Sequence, residues 1–283
     1  MRKYISMLLA LLLTSSVCAT AANTKVVASG KIVSKEIKGI AGFKEIQTNS
    51  SVSVIYHNAA DTRIVVSASD NVIPYIEVVK KGSRLEVGLK KGVNVRVKNS
   101  RADLKVNVYA PEVTAFSVNG SGDIRIATDL KADRLALGVS GSGDIDAYNL
   151  SAGEVALGVT GSGDIVVRNV SGKKIAIGVT GSGDVKVSSV ATDELACGVS
   201  GSGDIVVAAG TVGSANYCVT GSGDIYASSV IATEANAGAS GSGDISCRAT
   251  KQLSTAAMGS GNIYYYGNPA KVIGKNKRVK ARN

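Results

Sequence analysis

Apolar residues alternate with small or polar ones along most of this chain, and the alternation itself repeats. Leu135-x-Leu137-x-Val139, Val155-x-Leu157-x-Val159, Ile175-x-Ile177-x-Val179 and Leu195-x-Cys197-x-Val199 are four versions of one segment. A few residues further on, each gives way to a second alternating segment: Ile145-x-Ala147, Ile165-x-Val167, Val185-x-Val187, Ile205-x-Val207 and, later, Ile225-x-Ala227. Period-two alternation rich in β-branched residues predicts strands. The unit therefore reads strand, tight turn, strand, wider turn.

The tight turn is Gly-Ser-Gly-Asp-Ile at Gly120–Ile124, Gly141–Ile145, Gly161–Ile165, Gly201–Ile205, Gly221–Ile225 and Gly241–Ile245. Val185 closes the copy at Gly181, and Asn262 replaces the Asp in the copy at Gly259. From Gly120 to Gly259 the first glycines therefore recur with a period of about 20 residues, and a fixed period near this value is the signature of a solenoid. The expected fold is all-β: a right-handed parallel β-helix with about 20 residues per rung and two main sheets joined by the Gly-Ser-Gly turns. Stacked at ~4.8 Å per rung, seven or eight such coils rise roughly 35 Å.

The turn residues are expected to be structural. Gly141, Gly143, Gly161, Gly163, Gly181, Gly183, Gly201, Gly203, Gly221, Gly223, Gly241 and Gly243 would admit the positive φ that a tight connection needs. The Asp and Ser side chains would accept hydrogen bonds from turn amides. A second reading of Asp144, Asp164, Asp184, Asp204, Asp224 and Asp244 is a calcium ladder, since calcium-binding β-roll repeats also carry glycines and an Asp at each turn. Each turn here brings one carboxylate, whereas calcium takes six to eight oxygens.

Between the apolar positions of the strand before the turn lie Ala156, Gly158, Ala176, Gly178, Ala196 and Gly198. Gly and Ala are poor residues for an exposed strand. Either they keep the sheet flat, or this face packs against another protomer or the chain's own N-terminal half. The outward positions after the turn are larger and mixed, as with Asp146 and Tyr148, Arg168, Lys186 and Arg248.

The ends differ from the middle. Arg2 and Lys3, the apolar run Ile5 to Leu13 and the small residues up to Ala21 form a secretory signal peptide over 1–21, cut after Ala19 or Ala21. Val17 before Cys18 departs from a lipoprotein signal, although an acylated Cys18 is the alternative. A linker is expected over 22–38 and an irregular β-solenoid half over 39–110, made of degenerate rungs without glycine turns. The regular repeat spans 111–263. A cap with Tyr264, Tyr265 and Tyr266 and a basic tail fill 264–283.

Removing the signal leaves 30 basic and 22 acidic residues. Nine basic and two acidic residues lie between Lys80 and Lys105, and six basic residues and no acidic one between Lys271 and Asn283. Such patches are solvated faces or contacts to an anionic surface, such as lipid headgroups or acidic glycans. No nucleic-acid motif accompanies them. Cys197, Cys218 and Cys247 are an odd set and no disulfide framework; the first and last fall at apolar positions, Cys218 at a glycine position. His57, the one histidine, is expected at a surface or turn. Uniform repetition argues against catalysis, because an active site needs a local cluster of unlike groups. No catalytic residue, cofactor or integral membrane segment is expected in the mature chain.

The serial Gly-Ser-Gly turns, preceded by Phe43-Lys44-Glu45-Ile46 and Asp70-Asn71-Val72-Ile73-Pro74-Tyr75-Ile76, resemble the head GIN domain family of autotransporter adhesins. The resemblance covers roughly Gly39 to Val279. It implies a pectin-lyase-like β-helix of a Gram-negative envelope or surface, without catalytic residues and with a role in adhesion. Expected partners are host or envelope glycans or proteins and further copies of the chain, a trimer included. The alternatives are a carbohydrate-active enzyme of the polysaccharide-lyase type and a periplasmic scaffold.

Overall fold

The computed structural model describes residues 24–96 and 104–282. The expected signal peptide, Cys18 and part of the basic Lys80–Lys105 stretch lie outside them. Among the described residues nine strands precede the regular repeat: β1 (Thr24–Val27), β2 (Ile32–Ile37), β3 (Glu45–Thr48), β4 (Ser53–Asn58), β5 (Arg63–Ser69), β6 (Ile76–Lys81), β7 (Arg84–Leu89), β8 (Val93–Arg96) and β9 (Leu104–Ala110). The repeat then runs through β10 (Ala115–Val118), β11 (Ile124–Ile126), β12 (Leu130–Val139), β13 (Ile145–Val159), β14 (Ile165–Val179), β15 (Val185–Val199), β16 (Ile205–Val207), β17 (Gly210–Val219), β18 (Ile225–Tyr226), β19 (Val230–Ala239) and β20 (Ile245–Ala257). Three short strands finish it: β21 (Ile263–Tyr266), β22 (Lys271–Ile273) and β23 (Val279–Ala281).

From β10 onward every ladder is parallel, and equivalent repeat positions pair: Leu135 with Val155, Val155 with Ile175, Ile175 with Leu195. The chain is a β-solenoid of stacked coils. In a coil such as β14, Ile165, Val167, Val170, Ile175, Ile177 and Val179 are buried. The outward pairs Arg168-Asn169 and Lys173-Lys174 interrupt the alternation and mark corners. The expected wider turn is thus itself laddered, through Leu150–Val170 and Val170–Val190. Stacking identical apolar side chains in register gives one continuous core, since no coil can bury its own inner face.

Core volume is balanced between coils. Tyr217 takes a position held by Leu137, Leu157, Ile177 and Cys197 in earlier coils. The buried positions around and beyond it shrink in compensation, to Ala215, Ala235, Ala237, Ala227 and Ala239. Close packing requires such an exchange of large for small.

The N-terminal half carries one further coil and then changes character. β3 and β4 pair in parallel with β10 and β11, residue for residue, although far apart along the chain: Glu45 with Ala115, Val54 with Ile124. Beneath them lie β7 and β9, also parallel. The column Val106, Val54, Ile124, Ile145 therefore runs unbroken from the half without glycine turns into the half with them. Beyond this level the pairing is antiparallel, β5 with β9, β2 with β5, and β6 with β7. Only part of this half is a degenerate coil; the rest is an antiparallel end that covers the first rung, as a solenoid terminus requires.

Two boundaries need correction. The expected linker carries β1 and β2, which pair with β8 and β5. The expected tail is laddered, β22 on β20 and β23 on β21. Lys271 and Lys280 occupy outward positions of these strands, and Lys275 and Lys277 lie in the connection between them, a pattern that looks like a polar tail when read linearly.

Candidate binding surface

The turn glycines are there for a reason other than the one expected. None of them has a positive φ; that conformation occurs at Gly30, Gly39, Gly42, Gly82, Gly92, Gly210, Gly267 and Gly274. What the turns demand is close approach. A Cβ on Gly161 would lie 2.1 Å from the carbonyl oxygen of Gly141, and one on Gly163 2.1 Å from that of Gly143. The same clash repeats at Gly181, Gly183, Gly201, Gly203, Gly221, Gly223, Gly241 and Gly243. Each first-glycine carbonyl accepts two bonds from the next turn: Gly141 O takes the Ser162 amide at 3.0 Å and the Gly163 amide at 3.2 Å. Every Cβ would point at the preceding turn, which explains why the first turn of the stack carries Ser50 and Val52 at the two glycine positions instead. Ser50 is the residue on which Gly120 rests.

The Asp residues complete the stack. Asp144 Oδ1 accepts the amide of Asp164 at 2.8 Å, Asp164 Oδ1 that of Asp184 at 2.8 Å, and Asp184 Oδ1 that of Asp204 at 2.9 Å. The series continues through Asp204, Asp224 and Asp244 to the Asn262 amide. Each Asp carbonyl in turn accepts the amide of the apolar residue after the Asp one rung back, as with Ile145 to Asp164. A carboxylate thus replaces the backbone acceptor that the turn geometry removes. Burial tends to raise the Asp184 pKa, but the Asp204 amide and Lys186 outweigh it and hold the carboxyl below its ordinary value. Lys186 Nζ sits 2.9 Å from Asp184 Oδ2, and its own pKa is raised. Tyr226 donates to Asp224 Oδ2, which pushes the phenol up to about 12. For calcium this column leaves at most the Oδ2 of each Asp, and those of Asp184 and Asp224 are already engaged by Lys186 and Tyr226. Among the described residues no group of three potential ligands converges.

The small-residue face is open in the single chain. A Cβ on Gly138, Gly198 or Gly238 would have nothing within 4 Å, and Ala196 is exposed. The chain's N-terminal half does not cover it, because β3 and β10 continue the stack endwise. Cys218 is exposed in this same column, between Gly198 and Gly238. Cys197 and Cys247 are buried thiols, each pushed up to about 12 by desolvation.

The sheet on the other side of the turn presents aromatic rings and cations. Tyr148 lies between Arg125, 5.9 Å from its ring centre, and Arg168, at 5.1 Å. Arg125 also donates to the Tyr148 hydroxyl at 3.2 Å. Towards the C-terminal end, Arg282 and Lys280 stand 4.8 and 5.5 Å from the Tyr264 ring, and Arg248 stands 6.0 Å from Tyr266. Beside the first group, a shallow groove of about 470 Å³ is lined by Asn58, Asp129, Lys131, Asn149, Asn169 and Ser171 among others. Asn169 donates to Asn149, and Asn149 to Asp129, each at 2.7 Å. His57 is a strand residue of β4 whose ring stacks on Tyr109 at 4.6 Å.

A family model described as "Putative auto-transporter adhesin, head GIN domain" matches residues 42–169 and 155–269, which together span most of the chain. The chain belongs to this family. No curated protein is significantly similar to this head GIN domain. Among solved structures, a putative adhesin from Parabacteroides merdae is 25% identical, with a TM-score of 0.69 over 92% of this chain and 99% of that one. A putative adhesin from Parabacteroides distasonis (23% identity, TM-score 0.69) and a putative lipid binding protein from the same organism (24%, 0.67) each match over 92% of this chain and 100% of theirs. These likenesses establish a shared fold. In the head GIN domain, the aromatic and basic face escaped the sequence reading because its members are scattered along the chain, from Arg125 and Tyr148 to Arg282. The signal was present, since Tyr148, Arg168, Arg248 and Tyr266 all stand at the same offset from the Ile that closes their turn.

Proposed function

We propose that this head GIN domain is an exported, non-catalytic surface-binding protein of the adhesin type, acting in the envelope or at the cell surface. The observation that carries this reading is how the repeated side chains are engaged. The Asp carboxylates hold turn amides, and the turn glycines exist for close stacking, so the most repeated motif builds a rigid support. The variable residues lie on the flat outer faces, as expected where a scaffold presents a binding surface.

A polysaccharide lyase would draw Asp, Arg and Lys onto one patch, and Asp146, Arg125, Arg168 and Lys186 do share a face. Lys186, however, is held protonated by Asp184, the wrong direction for a general base. The adhesin assignment of the family supports the binding reading over the enzymatic one.

The test combines two measurements on the same strain. Antibody labelling of intact cells reports exposure, and a glycan array probed with the purified mature protein reports binding. Surface labelling with selective glycan retention is expected. Labelling that requires cell lysis, together with an empty array, would point to a periplasmic scaffold instead.

A further inference from the structure

We propose that the flat face carrying Tyr148 and Tyr264 binds a linear acidic polysaccharide along the solenoid axis. The proposal rests on the surface-binding reading above and adds to it the face and the chemistry of the ligand.

The charge pattern is the first support. Elsewhere on the chain, cations pair across neighbouring strands: Arg84 with Glu45 at 2.9 Å, Arg134 with Glu154 at 3.2 Å, Lys174 with Glu194 at 3.3 Å. Arg125, Arg168, Lys280 and Arg282 form no ion pair among the described residues, and rest on tyrosine rings instead. A ring holds a guanidinium in place without neutralising it. The fork stays available for a bidentate bond to a carboxylate or sulfate, with little ordering left to do on binding.

Geometry supplies the second. The column runs in ladder register, Ser246 beside Tyr264 and Tyr264 beside Lys280. Tyr148 and Tyr266 are six rungs apart, roughly 29 Å at ~4.8 Å per rung. No small anion reaches both groups, whereas a polymer does, and two linked contacts reinforce each other. Amphipathic tyrosines suit a ligand with apolar sugar faces and polar edges.

A membrane is the less suitable occupant. Interfacial binding needs an apolar face buried in the lipid. The large hydrophobic side chains exposed on this face are Val166 and Tyr226, at 40% and 43%, and they stand three rungs apart.

The experiment uses the mature protein with immobilised polygalacturonate and dextran sulfate, neutral dextran, and phosphatidylglycerol vesicles. The paired variants are Tyr148→Ser with Arg168→Ser, and Tyr264→Ser with Arg282→Ser. Arg168→Gln with Arg282→Gln keeps both rings should the paired variants fold poorly. Lys251→Ser, which removes one charge from a corner of the coil, is the control. The wild type is expected to bind at least one acidic polymer in a salt-sensitive manner and to ignore dextran. Each face variant should weaken binding about tenfold or more, and Lys251→Ser should leave it unchanged. Wild-type binding that all face variants retain would overturn the proposal while leaving the surface-binding reading intact. Retention on vesicles but on neither polymer would overturn the glycan as occupant. Binding to none of these probes would overturn the proposal, and a glycan array empty as well would remove the reading beneath it.

Discussion

The carbonyl oxygen of Gly161 lies 2.0 Å from the position a Cβ on Gly181 would occupy. Carbonyl and Cβ cannot approach so closely, so any side chain at Gly181 must pry two turns apart and stretch the bonds that Ser182 and Gly183 make to that carbonyl. Gly181→Ala is expected to cost on the order of 3 kcal/mol, from overpacking and weakened hydrogen bonds. Gly198, with open space at its Cβ, gives the contrast: Gly198→Ser should leave the unfolding midpoint almost unchanged. Chemical denaturation of the two variants checks the pair, and equal losses would refute the stacking explanation.

Open space at the small-residue face makes oligomeric mass informative. Gly178→Arg should leave the fold of the single chain intact. A fall in mass by light scattering would identify this face as the contact between copies, and an unchanged mass would exclude it.

The Asp column predicts a difference between loss of charge and loss of acceptor. Asp204→Ala strips the Asp224 amide of its partner and is expected to cost about 1.5–3 kcal/mol, as for other hydrogen bonds to charged groups. Asp204→Asn keeps an acceptor, as Asn262 shows an amide fits a turn of this kind, and should be much milder. Denaturant midpoints for the two would have to coincide to contradict this.

The pH dependence follows from Asp184. Its folded pKa lies below the unfolded value, so the stability it contributes is present above the ordinary carboxylate range and is lost as pH falls through the folded pKa. Lys186 has the opposite shift; its contribution is present below the unfolded lysine pKa and is lost only as strongly basic pH passes the folded value. Between about pH 5 and pH 3, the wild type should lose more thermal stability than Asp184→Asn. Parallel melting curves across that interval would be inconsistent with the shift.

Among the described residues, the buried Tyr217 hydroxyl has no hydrogen-bond partner. Burial first, and then the Cys197 and Cys247 thiols, hold its titration well above the ordinary range. An unsatisfied buried hydroxyl costs about 1–3 kcal/mol, so Tyr217→Phe should raise the melting temperature. A lower one would show that the hydroxyl has a partner, such as a buried water.

Much of this fold was legible because the repeat is written in sequence. Leu135, Val155 and Ile175 recur at the repeat period and pair in consecutive coils, as that period demands. The reason for the glycines was misread, since sequence shows a turn but not the turn stacked below it. The Ser50 turn explains both the missing glycines at the start and the direction of stacking. The β3–β4 coil was obscured because its ladder partners are distant in sequence, Val54 resting against Ile124 with β5 to β9 threaded between them. The Tyr264–Arg282 contact was hidden likewise, inside what looked like a tail.

Calcium gives a further check on the Asp column. With Oδ1 of each Asp already accepting an amide, a chelator should leave the melting temperature unchanged, and millimolar calcium should not raise it. A calcium-dependent rise would revive the ladder reading.

Binding without cleavage is measured most directly by incubating the mature protein with a panel of acidic and neutral polysaccharides, following retention and polymer length together. Selective retention of an acidic polymer, with its chain length unchanged and no new ultraviolet absorbance, is the expected result. Shortening of any retained polymer would contradict it and make this solenoid an enzyme.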